Sequence, residues 1–372
     1  MGELRSVRVL TIGPAPSGPD SRGGMASVLT LMAAHPDPRV AVRVVATYVD
    51  RSLPWRVWIG VRGMLWSTAL IVAGRVDVLH VHLSHGGSVV RKSLPLAAAR
   101  LRGTATVVHA HSYDFAGWFD RLPAWGRTLV RRGVAADRWL VLATQHVDEL
   151  GTRLHLPAER LEVLHNPVVL PDREKMARAA APGGVVHAVS LGRLGHRKGS
   201  YDVVAAVATL PAEVRSRLRI VLAGDGEIEQ VRRAVADADV AGVVEVRGWQ
   251  GPAERDELMR VSQVFLLPSH EEGLPMALLE AMAHGLAPLV SPVGGIPDVV
   301  GDGVEGLLVP AGDIEGLGKA LRRLVEDDDL RTRIAGAAEA RSAGFDVRRW
   351  HDRLTGLWID LAGRRRPARP HR

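Results

Sequence analysis

Cysteine is absent from the 372 residues, which removes disulfides, thiolate metal sites and a cysteine nucleophile from consideration. Aromatic residues are scarce at 4%, and no recognition motif or aromatic-basic stacking pattern marks a nucleic-acid platform. No apolar run reaches membrane-spanning length. The most apolar stretch, 57–73, is interrupted by Arg62 and by small and polar residues, and it reads as a core-facing helix. The opening residues MGELRSVRVLTIG lack the seven or more consecutive apolar residues of a secretory leader. They read as a first strand, so a cytoplasmic location is expected. The pattern G-x-G-x-x-G does not follow that strand, which argues against a dinucleotide-dependent oxidoreductase.

What is present suits a soluble protein of two domains. Apolar residues make up 47% and charged residues 24%, enough to bury two α/β cores and too many residues for one ordinary core. The formal charge of +7 is uneven: residues 1–168 carry +8, 169–363 carry −6, and the tail 364–372 carries +5 through five arginines. A basic first half and tail suit an anionic partner such as the inner face of a membrane, a nucleic acid or a phosphorylated acceptor.

Short β-branched runs alternate with longer helical patterns. Strands are expected near 7–12, 42–48, 76–83, 104–110, 139–143 and 161–164, and again near 185–191, 219–223, 243–246, 264–267, 287–290 and 306–309. Several are continuous apolar runs, the pattern of strands buried on both faces of a parallel sheet. The fold class is therefore α/β, with two doubly wound, Rossmann-like domains facing a cleft. Their expected limits are 1–168 and 185–347, joined by a Pro-, Gly- and Ala-rich linker at 169–184. A terminal helix at 348–363 carries Trp350, Leu354, Leu357, Trp358 and Leu361 at helical spacing, packing on a domain that periodicity does not identify.

Ligands of open parallel sheets bind beyond the carboxyl ends of the strands, so residues just after each strand carry the argument. After 264–267 comes Ser269-His270-Glu271-Glu272-Gly273-Leu274-Pro275-Met276, leading to Glu280. Pro275 suits the first helical position, and the amides of Gly273, Leu274 and Met276 then form an anion site suited to a diphosphate. Glu272 and Glu280 lie about two helical turns apart, able to reach sugar and ribose hydroxyls. After 185–191 comes Gly192-Arg193-Leu194-Gly195-His196-Arg197-Lys198-Gly199, two cations on a glycine-rich turn that suit a departing diphosphate.

These residues resemble the family 4, group 1 glycosyltransferases of the GT-B fold. The shared pattern is S-x-x-E-G, then E-A-M-A-x-G, with seven residues between the glutamates; here it falls on Ser269, Glu272, Gly273, Glu280, Ala281, Met282, Ala283 and Gly285. The resemblance implies that Glu272 contacts the donor sugar, that Glu280 accepts from ribose hydroxyls, and that Arg193 and Lys198 meet the donor phosphates. In the first half it assigns Gly24, in Ser21-Arg22-Gly23-Gly24 after strand one, to the donor diphosphate. It sets His111, in His109-Ala110-His111-Ser112-Tyr113-Asp114-Phe115, beside the transferred sugar, although Ser112 replaces the usual glycine. His82 and the run Ser84-His85-Gly86-Gly87-Ser88 would line the acceptor side. Gly224-Asp225-Gly226-Glu227, Arg247-Gly248-Trp249 and Gly294-Gly295-Ile296-Pro297-Asp298 follow further strands and fit the same pattern.

The four histidines His80, His82, His109 and His111 lie near strand ends without a carboxylate or cysteine close in sequence to complete a ligand set. Asp237-Ala238-Asp239 and Asp327-Asp328-Asp329 fall in solvent-facing helical contexts. No metal and no cofactor is expected, since Arg193, Lys198 and a helix start offer the charge a leaving diphosphate needs. The expected activity is retaining transfer of a hexose-type sugar from a UDP- or GDP-sugar to an acceptor hydroxyl, in polysaccharide or glycolipid assembly. The partners are the donor, a glycan or lipid-linked acceptor and an anionic membrane surface touched by the tail. The alternatives are a nucleotide-sugar epimerase of the same fold, or a basic nucleic-acid or membrane-surface binding protein.

Overall fold

A computed structural model of the chain describes residues 6–18, 20–172 and 184–365. Of the expected linker, 173–183 lie outside the described residues, as do 366–372 of the basic tail. The chain divides into two compact units: one runs through Asn166 and resumes at Val347, the other is Pro167–Asp346.

The first unit is built on six parallel strands: β1 (Val7–Pro14), β2 (Val40–Tyr48), β3 (Val78–Leu83), β4 (Ala105–Ala110), β5 (Arg138–Val141) and β6 (Leu161–Val163). Their order is β2-β1-β3-β4-β5-β6. Every residue of β3 and β4 is buried, the condition that continuous apolar runs impose on a sheet covered on both faces. The second unit repeats the plan with β7 (Val186–Leu191), β8 (Leu218–Ala223), β9 (Val244–Arg247), β10 (Val264–Leu267), β11 (Ala287–Val290) and β12 (Leu307–Leu308). Its order is β12-β11-β10-β7-β8-β9. All twelve expected strands are present, with ends shifted by up to two residues.

These orders create two switch points. In the first sheet the chain leaves β1 toward β2 on one side and returns to β3 on the other. In the second it runs β7, β8, β9 outward and returns to β10 on the opposite side of β7. Loops leaving neighbouring strands at a switch point diverge and leave a crevice.

The terminal helix Val347–Arg365 belongs to the first unit. Trp350, Leu354, Trp358 and Leu361 are buried. The Trp358 indole donates to Nδ1 of His80 at 3.1 Å, and Arg353 pairs with Glu162 at 2.7 Å.

The helix Leu53–Val72, expected to face the core, does so only along a narrow stripe. It buries Gly60, Gly63, Ser67, Leu70 and Ile71. A Cβ on Gly63 would strike the Ala46 carbonyl, so small residues let this helix lie close on β2. Its large apolar side chains are consequently left outside, among them Trp55, Val57, Trp58, Leu65 and Trp66. Among the described residues no helix is long and apolar enough to cross a membrane.

Candidate functional site

In the second unit the two sequence motifs occupy one switch point. The Gly192–Gly199 loop leaves β7, and the Pro268–Pro275 loop leaves its neighbour β10. Gly199 has φ +68°, and a Cβ there would collide with the Pro268 carbonyl, so only glycine lets the loops close on each other. The turn Gly224–Glu227 buttresses the first loop: Leu194 N donates to Asp225 O at 2.7 Å and Glu227 N to Leu194 O at 3.1 Å. The Gly294-Gly295 turn buttresses the second. Gly294 sits at φ +59° against the Glu272 carbonyl, and Gly295 N donates to Gly273 O at 2.5 Å.

This packing brings Lys198 onto Glu272. The ammonium and carboxylate form an ion pair, with 15% and 6% of their side chains exposed, and the Ser269 hydroxyl donates to the same carboxylate oxygen at 2.9 Å. Burial pulls the Lys198 amine below its ordinary range while Glu272 opposes that pull. Arg193 is exposed and has no hydrogen-bond partner among the described residues. The helix Met276–Ala283 starts one residue later than expected, with Pro275 as its extended cap at φ −72°, ψ 124°. Proline fits that cap because it has no N–H to satisfy. Among the described residues the N–H groups of Gly273 and Met276 meet no acceptor, while Leu274 and Pro275 are buried between them. An anion in front of this start gains both amides and the helix dipole.

Glu280 lies on the helix Met276–Ala283. Both of its oxygens accept from Nη2 of Arg255 at 3.0 Å, and burial raises its carboxyl above the usual range, with Arg255 opposing. Arg255, on the helix Pro252–Val261, is the residue that sequence reasoning missed; only its position shortly after β9 could have signalled it. Arg247, at the end of β9, is held by Glu245 at 2.7 Å.

In the first unit Gly24 opens the helix Gly24–Ala33 after β1. Gly23 before it takes φ +98° with open space where a Cβ would be. His111 follows β4, and its Nε2 lies 2.9 Å from Nδ1 of His82. Register sets His82 beside His109, and His80 shares their face. Burial holds all four imidazoles below the usual range, His109 at about 3, so they are neutral. The ligand nitrogens of His80, His82 and His109 all lie within 4.8 Å of one another, so these three buried imidazoles form a group that could hold a metal ion. Ser112, where the family pattern has glycine, bonds Nδ1 of His85 at 2.7 Å.

Sequence reasoning also missed a cavity of about 360 Å³ at the β1/β3 switch point. Tyr48, Asp50, His85, Arg91 and Lys92 are among its lining residues. Lys92 is 2% exposed, and its ammonium donates to the Ser88 hydroxyl at 2.7 Å. An Arg-Lys pair within a helix reads as a solvent face, and only the packed sheet turns Lys92 inward.

Two parallel α/β units, with cations and a helix start converging on one switch point beside paired glutamates, define a class: enzymes that bind a nucleoside diphosphate and transfer what it carries. Comparison with known proteins makes this specific. Residues 17–170 match the family described as Glycosyltransferase Family 4, and residues 172–341 match Glycosyl transferases group 1. LpsE of Rhizobium meliloti, a lipopolysaccharide core biosynthesis glycosyltransferase, is 35% identical over 45% of this chain and 47% of its own length. WcaL of Salmonella typhimurium, named for glycosyl transfer in colanic acid biosynthesis, is 30% identical over 76% of this chain and 70% of its own length. HepE of Anabaena, solved with UDP and glucose, superposes with a TM-score of 0.72 at 15% identity, covering 95% of this chain and 100% of that one. The chain belongs to the group 1, family 4 glycosyltransferases, whose donors are nucleotide sugars; its fold is GT-B and it is a glycosyltransferase.

Proposed function

We propose that the enzyme is a retaining, metal-independent glycosyltransferase. It moves a hexose-type sugar from a UDP- or GDP-sugar to a hydroxyl of a glycan or lipid-linked acceptor at the inner face of a membrane. The carrying observation is the Lys198–Glu272 ion pair beside the unengaged Arg193 and the open amides of Gly273 and Met276. A diphosphate entering there draws Lys198 away from Glu272. The freed carboxylate then accepts from sugar hydroxyls, while Arg193 and the helix start take phosphate oxygens. Glu280, braced by Arg255, is left to accept from the ribose. The bond from the anomeric carbon to the phosphate oxygen breaks and a bond to the acceptor oxygen forms. The acceptor proton passes to the departing phosphate, so no side chain is needed as base. Within the first unit, Gly24 at the start of its helix and His111, whose imidazole burial holds neutral, are the residues we assign to the donor diphosphate and the transferred sugar.

The membrane surface has its own support. Between residues 51 and 113 there are eight Lys or Arg and a single acid, Asp77, which is bonded by Arg8 at 2.8 Å. That stretch includes the helix Leu53–Val72 with its exposed tryptophans, and the helix Gly87–Arg102 with exposed Val90, Leu94 and Leu101. Exposed apolar side chains on a stretch where cations outnumber acids, Lys92 being buried and Arg51 paired with Asp20, suit an interfacial seat on anionic lipid.

Calorimetric titration with UDP, GDP and ADP, with Glu280→Ala alongside, tests the donor site. Micromolar binding of one nucleotide, weakened more than about tenfold in the variant (~1.4 kcal/mol), is expected. Absence of binding for all three would defeat the reading.

A further inference from the structure

We propose that the cavity at the β1/β3 switch point of the first unit seats a phosphoryl group carried by the acceptor, gripped by Arg91 and Lys92. The proposal deepens the transferase reading and rests on it.

The cavity opens where β1 and β3 diverge, the position at which an open parallel sheet receives ligands. Its volume of about 360 Å³ suits a sugar-phosphate-sized group. Its charge is one-sided. Arg22, Arg91 and Lys92 line it against one acid, Asp50. Asp50 already accepts from Arg22 N at 2.9 Å and from the Tyr48 hydroxyl at 3.1 Å.

Lys92 makes the strongest case. Its amine is buried, and the Ser88 hydroxyl is its one hydrogen-bond partner among the described residues. Ser88 is itself fixed, accepting from Ser84 N at 3.0 Å. An ammonium buried without a counter-ion is costly, and burial accordingly pushes this amine down to about 7. Arg91 repeats the pattern. It lies half-buried with its guanidinium 5.7 Å from the Tyr48 ring centre, and its buried Nε has no partner. No carboxylate pairs with either cation among the described residues. A planar guanidinium fork and an adjacent ammonium match a tetrahedral oxyanion, and an entering phosphoryl group supplies the counter-charge both cations lack. Two acceptor types carry that group: a soluble sugar phosphate and a lipid-linked diphosphate.

The test is titration of the full chain carrying Arg193→Ala, which weakens the donor phosphate site. The probes are glucose 1-phosphate and zwitterionic vesicles containing an isoprenyl diphosphate. At least one probe is expected to bind, with affinity reduced tenfold or more by Arg91→Gln and by Lys92→Met. A response to glucose 1-phosphate identifies a soluble acceptor, and a response to the vesicles alone a lipid-linked one. Lys92→Met is expected to raise the Tm, because a buried amine without a counter-ion is removed. Failure of both probes to bind, or unchanged affinity in Arg91→Gln, overturns the proposal. Nucleotide binding to the parent chain is measured in parallel. If it survives while the probes fail, this inference alone is wrong; if it also fails, the transferase site is wrong.

Discussion

Lowering the pH from about 7.5 to about 5.5 is expected to cost the first unit about 4 kcal/mol of stability, through His80, His82 and His109 alone. All three are fully buried, and burial holds each below its ordinary value. In the unfolded chain each titrates near 6.5. A base whose folded pKa is depressed contributes stability that is complete above the unfolded value and lost as pH falls toward the folded one. Between those limits the unfolded chain binds protons that the folded chain refuses. Over this pH interval the difference is about 1.4 kcal/mol per imidazole. Urea unfolding followed by tryptophan emission isolates the effect, because eight of the nine tryptophans lie in the first unit and only Trp249 in the second. With a slope of about 2.5 kcal/mol per M, the midpoint moves down by roughly 1.6 M. A shift below about 0.5 M would mean that the histidines accept protons in place, and the picture of a neutral imidazole ladder under the terminal helix would be wrong.

Two further outcomes are expected. Lys198→Met and Glu272→Gln each strand a largely buried partner and should cost about 3–5 kcal/mol in calorimetric unfolding, whereas the double variant recovers most of that loss; additive losses would show that the pair does not couple. Trp58→Glu with Trp66→Glu changes two side chains that are 53% and 52% exposed. The fold should be untouched, with binding to anionic vesicles reduced at least about tenfold; unchanged sedimentation with such vesicles would remove that helix as the seat.

Retaining two loops in register appears here as a matter of glycine geometry rather than of side-chain bonding. Gly199 and Gly294 both lie at positive φ with neighbouring carbonyls where a Cβ would stand. Side chains carried on these loops then reach inward from fixed backbone, which lowers the entropy that ordering them for a ligand would cost.

Strands buried on both faces, their spacing and the paired-glutamate motif were legible in the sequence, because each depends on local pattern: continuous apolar runs, crossover length, and glycine or proline at a strand end. The loops after β7 and β10 could likewise be singled out as candidates from their place after strands, and the fold sets them side by side at one switch point. What the sequence could not supply was adjacency. Arg255 reaches Glu280 across 25 positions, Trp358 reaches His80 across 278, and neither pairing has a local signature. Burial at single positions was equally hidden. Lys92 reads as a surface charge and is buried, while Trp58 and Trp66 read as core and are exposed. Periodicity describes which residues share a helix face, but the direction that face takes is decided by the elements packed against it. Here Gly60 and Gly63 let the helix press on β2 with its small residues inward, and only the folded sheet makes that choice.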